Sequence, residues 1–261
     1  GYHQERLENH DYDNYTFEAL PKEELERQRR DAGSYSSKFS IIVPAYNTPA
    51  PFFKRMIESV EEQTYPNWEL LIGDAGDEKA GLWEIVKSFN DKRVRYFRLP
   101  ENRGISENTN MILKEAKGDY AALLDHDDIL SPDTLYEVAK KINEENSDVI
   151  YTDEDKIDRE GKEHTQPHLK PDFNIDLLRS NNYITHFFTA RRELLQSVGG
   201  FREGFDGAQD HDLIFRCCEK AKVIIQKMKK YIKIMNLPLL SEMNIKFHLQ
   251  QSINIICLQE L

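Results

Sequence analysis

Between residues 39 and 152, five short apolar runs are separated by four longer segments whose apolar residues recur at helical spacing. The runs are 39–43, 68–72, 94–98, 120–124 and 148–152, each bounded by Pro, Gly, Asp or Asn. Runs this short, ended by turn residues, predict strands. The segments 51–63, 81–89, 106–117 and 132–144 predict helices, with Phe52, Phe53, Met56, Ile57 and Val60 on one face of the first. Gly118 reads as the C-cap of the third helix. Strands alternating with helices predict an α/β fold: a mostly parallel central sheet flanked by helices on both faces. In such sheets ligands bind beyond the carboxyl ends of the strands. The segments found there, 44–47, 73–77, 100–104, 125–128 and 153–155, are rich in Asp, Asn and Gly. No glycine-rich phosphate loop follows the first run, which argues against dinucleotide-binding and P-loop proteins.

Charge narrows the partners. The 261 residues carry a net charge of −11. It divides as −3 over residues 1–38, −12 over 39–220 and +4 over 221–261. An acidic chain lacks the basic face that replaces phosphate counterions, so nucleic acid is excluded as a partner. No apolar stretch reaches the ~20 residues of a membrane span, and no secretory leader pattern opens the sequence. Three cysteines, Cys217, Cys218 and Cys257, are too few for a disulfide framework. A reducing, cytoplasmic setting is therefore expected.

The charge steps also suggest three parts. Residues 1–38 read as a polar appendage, unordered at first and helical over 21–30. Residues 39–220 form the main domain. Residues 221–261 form a basic tail without Gly, Asp, Arg or Thr. The tail reads first as a solvated basic helix, and its Lys and apolar residues also suit peripheral contact with an anionic membrane.

Asp125-His126-Asp127-Asp128 directly follows the fourth run. Three carboxylates in four residues repel one another unless water or a cation neutralises them. Oxygen donors at a strand end suit Mg²⁺ or Mn²⁺. A solvated, helix-capping turn is the plain alternative. A second acidic cluster, Gln209-Asp210-His211-Asp212, opens the segment 210–220, where Asp210 is also a natural helix N-cap and Asp212 is placed to pair with Arg216. Tyr151 to Lys156 reads as an acidic loop after the fifth run, and 164–171 as a mobile loop. His186, in NYITHFF, reads first as a hydrogen-bonded core histidine and second as an acceptor contact.

Six motifs in order, IIVPAYN (41–47), YPNWELLIGDAG (65–76), NRGISENTN (102–110), GDYAALLDHDDILSPDTL (118–135), VGGF (198–201) and QDHDLIFR (209–216), resemble family-2 glycosyltransferases of the GT-A fold. They cover about residues 39–220. The nearest likeness is to bacterial enzymes that build cell-surface polysaccharides.

The resemblance implies an inverting, metal-dependent transferase that moves a sugar from a nucleotide-diphosphate donor to an acceptor hydroxyl on a glycan or lipid-linked acceptor. Pro44, Ala45, Tyr46 and Asn47 would hold base and ribose. Asp74 would read the base, with a UDP-sugar favoured, although the family usually has two adjacent acids where this chain has Gly73-Asp74. Arg103 would meet donor phosphate, Asp125 the ribose or metal-bound water, and Asp127 the cation directly. Asp128, Asp153, His186 and Gln209 are second-tier candidates near acceptor or metal. Asp210 would be the general base, although Gln209 stands where the family has Glu. The aromatic, His-bearing segment that usually follows is not matched by 221–261. Two other readings stay open: a donor-binding module that has lost turnover, and a sugar nucleotidyltransferase, which PAYNTPAP disfavours because it offers neither glycine nor a basic residue.

Overall fold

The computed structural model describes residues 18–234. The opening polar segment, most of the basic tail, His248 and Cys257 lie outside the described residues.

Helix α1 (Lys22–Asp31) starts immediately after Pro21. It is polar, yet Gln28 is fully buried and accepts a hydrogen bond from Thr64 Oγ1 at 2.9 Å. The core then alternates: β1 (Phe39–Ala45), α2 (Ala50–Glu61), β2 (Trp68–Asp74), α3 (Leu82–Phe89), β3 (Val94–Arg98), α4 (Ile105–Leu113), β4 (Tyr120–Leu123). There follow β5 (Asp128–Leu130), α5 (Thr134–Glu145), β6 (Val149–Ile157), β7 (His164–His168), α6 (Ile175–Ser180), β8 (Thr189–Arg191), α7 (Arg192–Ser197), α8 (Gln209–Lys220) and β9 (Ile224–Ile234).

One sheet runs in the order β3-β2-β1-β4-β8-β6-β9-β5, with β7 on β6. The first four strands are parallel, as the alternation predicts. Beyond β4 the sheet is mixed. Strand β8 is antiparallel to both β4 and β6, β9 is parallel to β6, and β5 is antiparallel to β9.

Successive side chains of a strand point to opposite faces, and both faces are covered. Ile41, Val43, Leu70 and Ile72 meet Phe53, Met56, Ile57 and Val60 of α2, Leu82 and Val86 of α3, and Leu135 and Val138 of α5. Ile42, Leu71 and Ala121 face the other way, onto Ile112 of α4 and Leu213, Ile214 and Cys217 of α8. Strands buried on both faces read as unbroken apolar runs, which is why β1, β2 and β4 were visible in the sequence.

Four local expectations change. Helix α4 ends at Leu113, well short of Gly118. Gly118 is no C-cap; a Cβ there would lie 2.6 Å from Ser40 N and 2.7 Å from Lys38 O, so glycine permits close approach to β1. The expected acidic loop 153–156 belongs to β6, which continues to Ile157. The expected mobile loop 164–171 contains β7. The start of the basic tail is a strand, β9, instead of a solvated helix, because its β-branched residues pair along β6.

Candidate functional site

The carboxyl ends of β1 and β2 lock together. Pro44 and Ala45 pair with Gly73 and Asp74, and Ala75 N donates to Ala45 O at 3.0 Å. Asn47 sits in the left-handed region at φ 50°, where its Oδ1 accepts from Asp77 N at 2.7 Å. A Cβ on Gly76 would lie 2.6 Å from Asn47 N, so the two loops require glycine at that contact. Tyr46 is left exposed at 54% beside this seam.

Asp74 is buried, and its carboxylate is already engaged. Oδ1 accepts from Gly76 N at 2.8 Å, and Oδ2 accepts from Tyr96 Oη at 2.6 Å and Arg98 Nη1 at 3.1 Å. Burial, and then the neighbouring Asp74, push the Tyr96 hydroxyl up to about 12, so it remains a donor. Asp74, Trp83, Tyr96 and Arg98 line a cavity of about 490 Å³. Its wall is aromatic, with the Trp83 and Tyr96 rings 5.4 Å apart. Arg103 lies on the surface between two carboxylates, 2.5 Å from Glu101 and 2.8 Å from Glu107.

The acidic run after β4 divides by environment. Asp128 opens β5 and is fully buried. The side chains of Asp125 and Asp127 are 44% and 28% exposed. Ligand atoms of Asp125, Asp128 and His186 all lie within 4.8 Å of one another. His186 Nε2 stands 3.8 Å from Asp125 Oδ2. Two carboxylate oxygens and one imidazole nitrogen form a donor set suited to Mn²⁺, and to Mg²⁺ through the oxygens. The His186 side chain is 19% exposed. It faces the acidic run because β8, which begins three residues later, pairs antiparallel with β4. Nothing local in NYITHFF signals this, since the pairing joins distant segments. Asp127, expected as the direct ligand, lies outside that trio, 3.9 Å from His126.

Asp153 is buried within β6, and its Oδ1 accepts from Lys170 N and Gln226 Nε2, both at 2.8 Å. Burial raises its pKa against those hydrogen bonds. Next to it, Glu154 accepts from the Lys170 ammonium at 3.1 Å and contacts His168 at 3.3 Å. Burial alone would raise Glu154; His168, His186 and Lys170 reverse this and hold it well below the usual carboxylate range. Burial pulls Lys170 down to about 8 despite Glu154.

Gln209 and Asp210 occupy the first turn of α8, with Ala208 as the N-cap residue. Gln209 is buried; its Oε1 accepts from Gly207 N at 2.5 Å, and its Nε2 is 3.4 Å from Asp210 Oδ2. Asp212 does pair with Arg216, at 2.9 Å to Nε, and also with Arg202. Arg216 in turn donates to Val198 O and Gly200 O, tying α8 to the glycine turn at 199–200. Among the described residues no helix is long and apolar enough to cross a membrane.

Residues 40–199, more than half of the chain, match the family described as Glycosyl transferase family 2. The chain is 42% identical over 186 residues to an uncharacterized protein, y4gI, of Sinorhizobium fredii, covering 70% of this chain and 20% of that one. It is 36% identical over 188 residues to the O-antigen biosynthesis protein RfbC of Myxococcus xanthus, covering 71% and 15%. It thus spans a fifth or less of the length of these two relatives. Among solved structures, S. aureus TarS (residues 1–349) in complex with UDP-GlcNAc superposes with a TM-score of 0.64 at 24% identity, over 76% of this chain and 59% of that one. A mannosyltransferase from Pyrobaculum calidifontis, in complex with GDP-Man and Mn²⁺, gives 0.60 at 18% identity, over 88% and 63%. These structural likenesses bear out the expected GT-A fold.

Proposed function

The chain belongs to glycosyl transferase family 2, and from that premise we propose that it transfers a sugar from a nucleotide-diphosphate sugar to an acceptor hydroxyl with inversion. The observation that carries the reading is the convergence of Asp125, Asp128 and His186 at the sheet's carboxyl edge. The solved neighbours that share the fold hold UDP-GlcNAc in one case, and GDP-Man with Mn²⁺ in the other.

In this reading Asp74 accepts a hydrogen bond from the base, with a uracil favoured, while Tyr46 covers it and 44–47 hold the ribose. Arg103 leaves its exposed ion pairs with Glu101 and Glu107 to meet donor phosphate, a small cost at the surface. Asp125, Asp128 and His186 are the residues that would hold a divalent cation, with Asp127 nearby. When bound, the cation neutralises charge gathering on the departing diphosphate. Asp210, half-buried in the first turn of α8, takes the proton of the acceptor hydroxyl as its oxygen attacks the sugar's anomeric carbon. Gln209 orients that carboxylate. Asp153, a candidate near the acceptor or metal, accepts from Lys170 N just beyond β7 and from Gln226 of β9.

The acceptor is a glycan or lipid-linked glycan in surface-polysaccharide synthesis. A cytoplasmic setting with peripheral membrane contact through the basic segment belongs to the same reading. Residues 39–220 with β9 form the transferase unit, and 1–38 its N-terminal addition.

The test is release of nucleoside diphosphate from a panel of UDP-, GDP- and dTDP-sugars with Mn²⁺. Slow donor hydrolysis is expected, lost in Asp128→Ala, while Asp210→Asn lowers transfer by about 10²–10⁴-fold. Donor binding without turnover across a broad acceptor panel would make the chain a binding module instead. Metal-independent turnover would remove the cation from the mechanism.

A further inference from the structure

Lys170 is a buried cation with no part in the mechanism above. Its side chain is fully buried. An ammonium has three protons to place, and all three have acceptors: Glu154 Oε2 at 3.1 Å, Ile184 O at 2.6 Å, and His186 O. The backbone on both sides is anchored as well. Lys170 N donates to Asp153, and the following Pro171 O accepts from Tyr151 Oη at 2.7 Å. The ammonium therefore has a fixed position in the fold.

The two carbonyls it holds bracket Thr185. That residue sits at φ 39°, a region a β-branched side chain seldom adopts. Such a conformation persists only where the surroundings over-determine it. Here they do, since Thr185 Oγ1 donates to Glu154 Oε2 at 3.1 Å, the oxygen that also receives Lys170. One ion pair thus grips the turn 184–186 by two carbonyls and a hydroxyl. The imidazole carried by this turn faces Asp125 and Asp128.

We propose that Lys170, paired with Glu154, is the positioning residue of the candidate cation site, fixing the turn 184–186 so that the His186 imidazole stands beside Asp125 and Asp128. An apolar side chain of similar length would fill the same space and lose the grip. The inference rests on the cation site of the proposed function. Its test needs no turnover.

Mn²⁺ binding to the whole chain is measured by electron paramagnetic resonance, without donor or acceptor, at constant pH. Lys170→Met is expected to weaken binding by about tenfold or more, the range seen when groups that orient a metal-binding histidine are lost. His186→Ala should weaken it too, and the double variant should bind no worse than His186→Ala alone. Lys170→Arg should recover part of the loss. If wild type binds no Mn²⁺, the cation site itself fails. If wild type binds and Lys170→Met binds equally well, or loses the same factor in the His186→Ala background, the positioning role is overturned while the cation site stands. Circular dichroism checks folding. Should Lys170→Met be unfolded, Glu154→Gln carries the same cycle: a loss that disappears with His186→Ala supports the role, and an unchanged affinity overturns it.

Discussion

Ser106 Oγ donates to Asp206 Oδ1 at 2.6 Å across a sequence separation of 100 residues. The bond ties the start of α4, just after the Asn-Arg-Gly turn, to the loop that leads into α8 and Asp210. Asn110 makes a second tie from the same helix, exchanging hydrogen bonds with Phe201 O and N at 2.8 and 2.9 Å. The loop that carries Arg103 and the loop that precedes Asp210 are thus held to one another.

The first tie brings Asp206 close against Gly104. Its φ is 89°, and a Cβ would lie 2.4 Å from Asp206 Oδ2. Gly104→Ala is expected to cost about 1–3 kcal/mol of stability through backbone strain, read from urea unfolding. Adding Asp206→Ala removes the clash but not the strain, so the double variant should be more stable than the sum of the single losses predicts.

The middle of the sheet offers no slack. Ile42 is fully buried between its cross-strand neighbours Leu71 and Leu123 on the α4/α8 face. Ile42→Ala should cost about 2–5 kcal/mol, as a lowered denaturant midpoint at unchanged slope. A change in slope would mean that the variant alters the compactness of the folded or unfolded chain.

Glu69 should contribute to acid lability. Burial alone would raise its pKa, but hydrogen bonds from Ser40 Oγ, Lys117 N and Arg95 lower it overall. A lowered folded-state value means that its stabilisation is complete above the unfolded value of about 4.3 and is lost as pH falls through the folded value. The stability gap between wild type and Glu69→Gln should therefore be widest near neutrality and shrink below about pH 4. A gap that widens in acid would contradict the assignment.

Cys217 and Cys218 should be silent toward thiol reagents. Both are buried in the α8 core, and burial pushes each thiol up to about 12. The thiolate is the reactive form, so native protein at pH 8 should leave these two unmodified until denaturant is added. Mass spectrometry of labelled peptides distinguishes them from Cys257.

Much of the fold was legible because local pattern and tertiary burial agree. β1 and β2 are apolar runs because both faces are covered, and Pro44 and Gly73 mark where the site begins. The Asp212–Arg216 pair follows from helical spacing. The misreadings arise where distant strands decide. Asp153 and Asp155 look like a loop, since two carboxylates inside a strand are expensive unless partnered. Their partners, Gln226 and His164, come from β9 and β7. Likewise His186 could be recognised beside Asp125 only once β8 was known to turn back along β4. Gly118 carried the right residue type for a cap, but the close approach of Ser40 was not visible locally.

The placement of Asp128 extends beyond the motifs. Its strand, β5, joins the sheet through β9, where Asp128 lies opposite Lys233. The family match stops at residue 199, and β9 begins only at Ile224. The matched stretch is therefore shorter than the stretch that completes the sheet. Strand pairing is made by main-chain N–H and C=O groups, which every residue but proline supplies in full. The pairing that seats Asp128 is thus made through the main chain of β9. Trimming the protein to its motifs would remove that seat while every familiar residue remained.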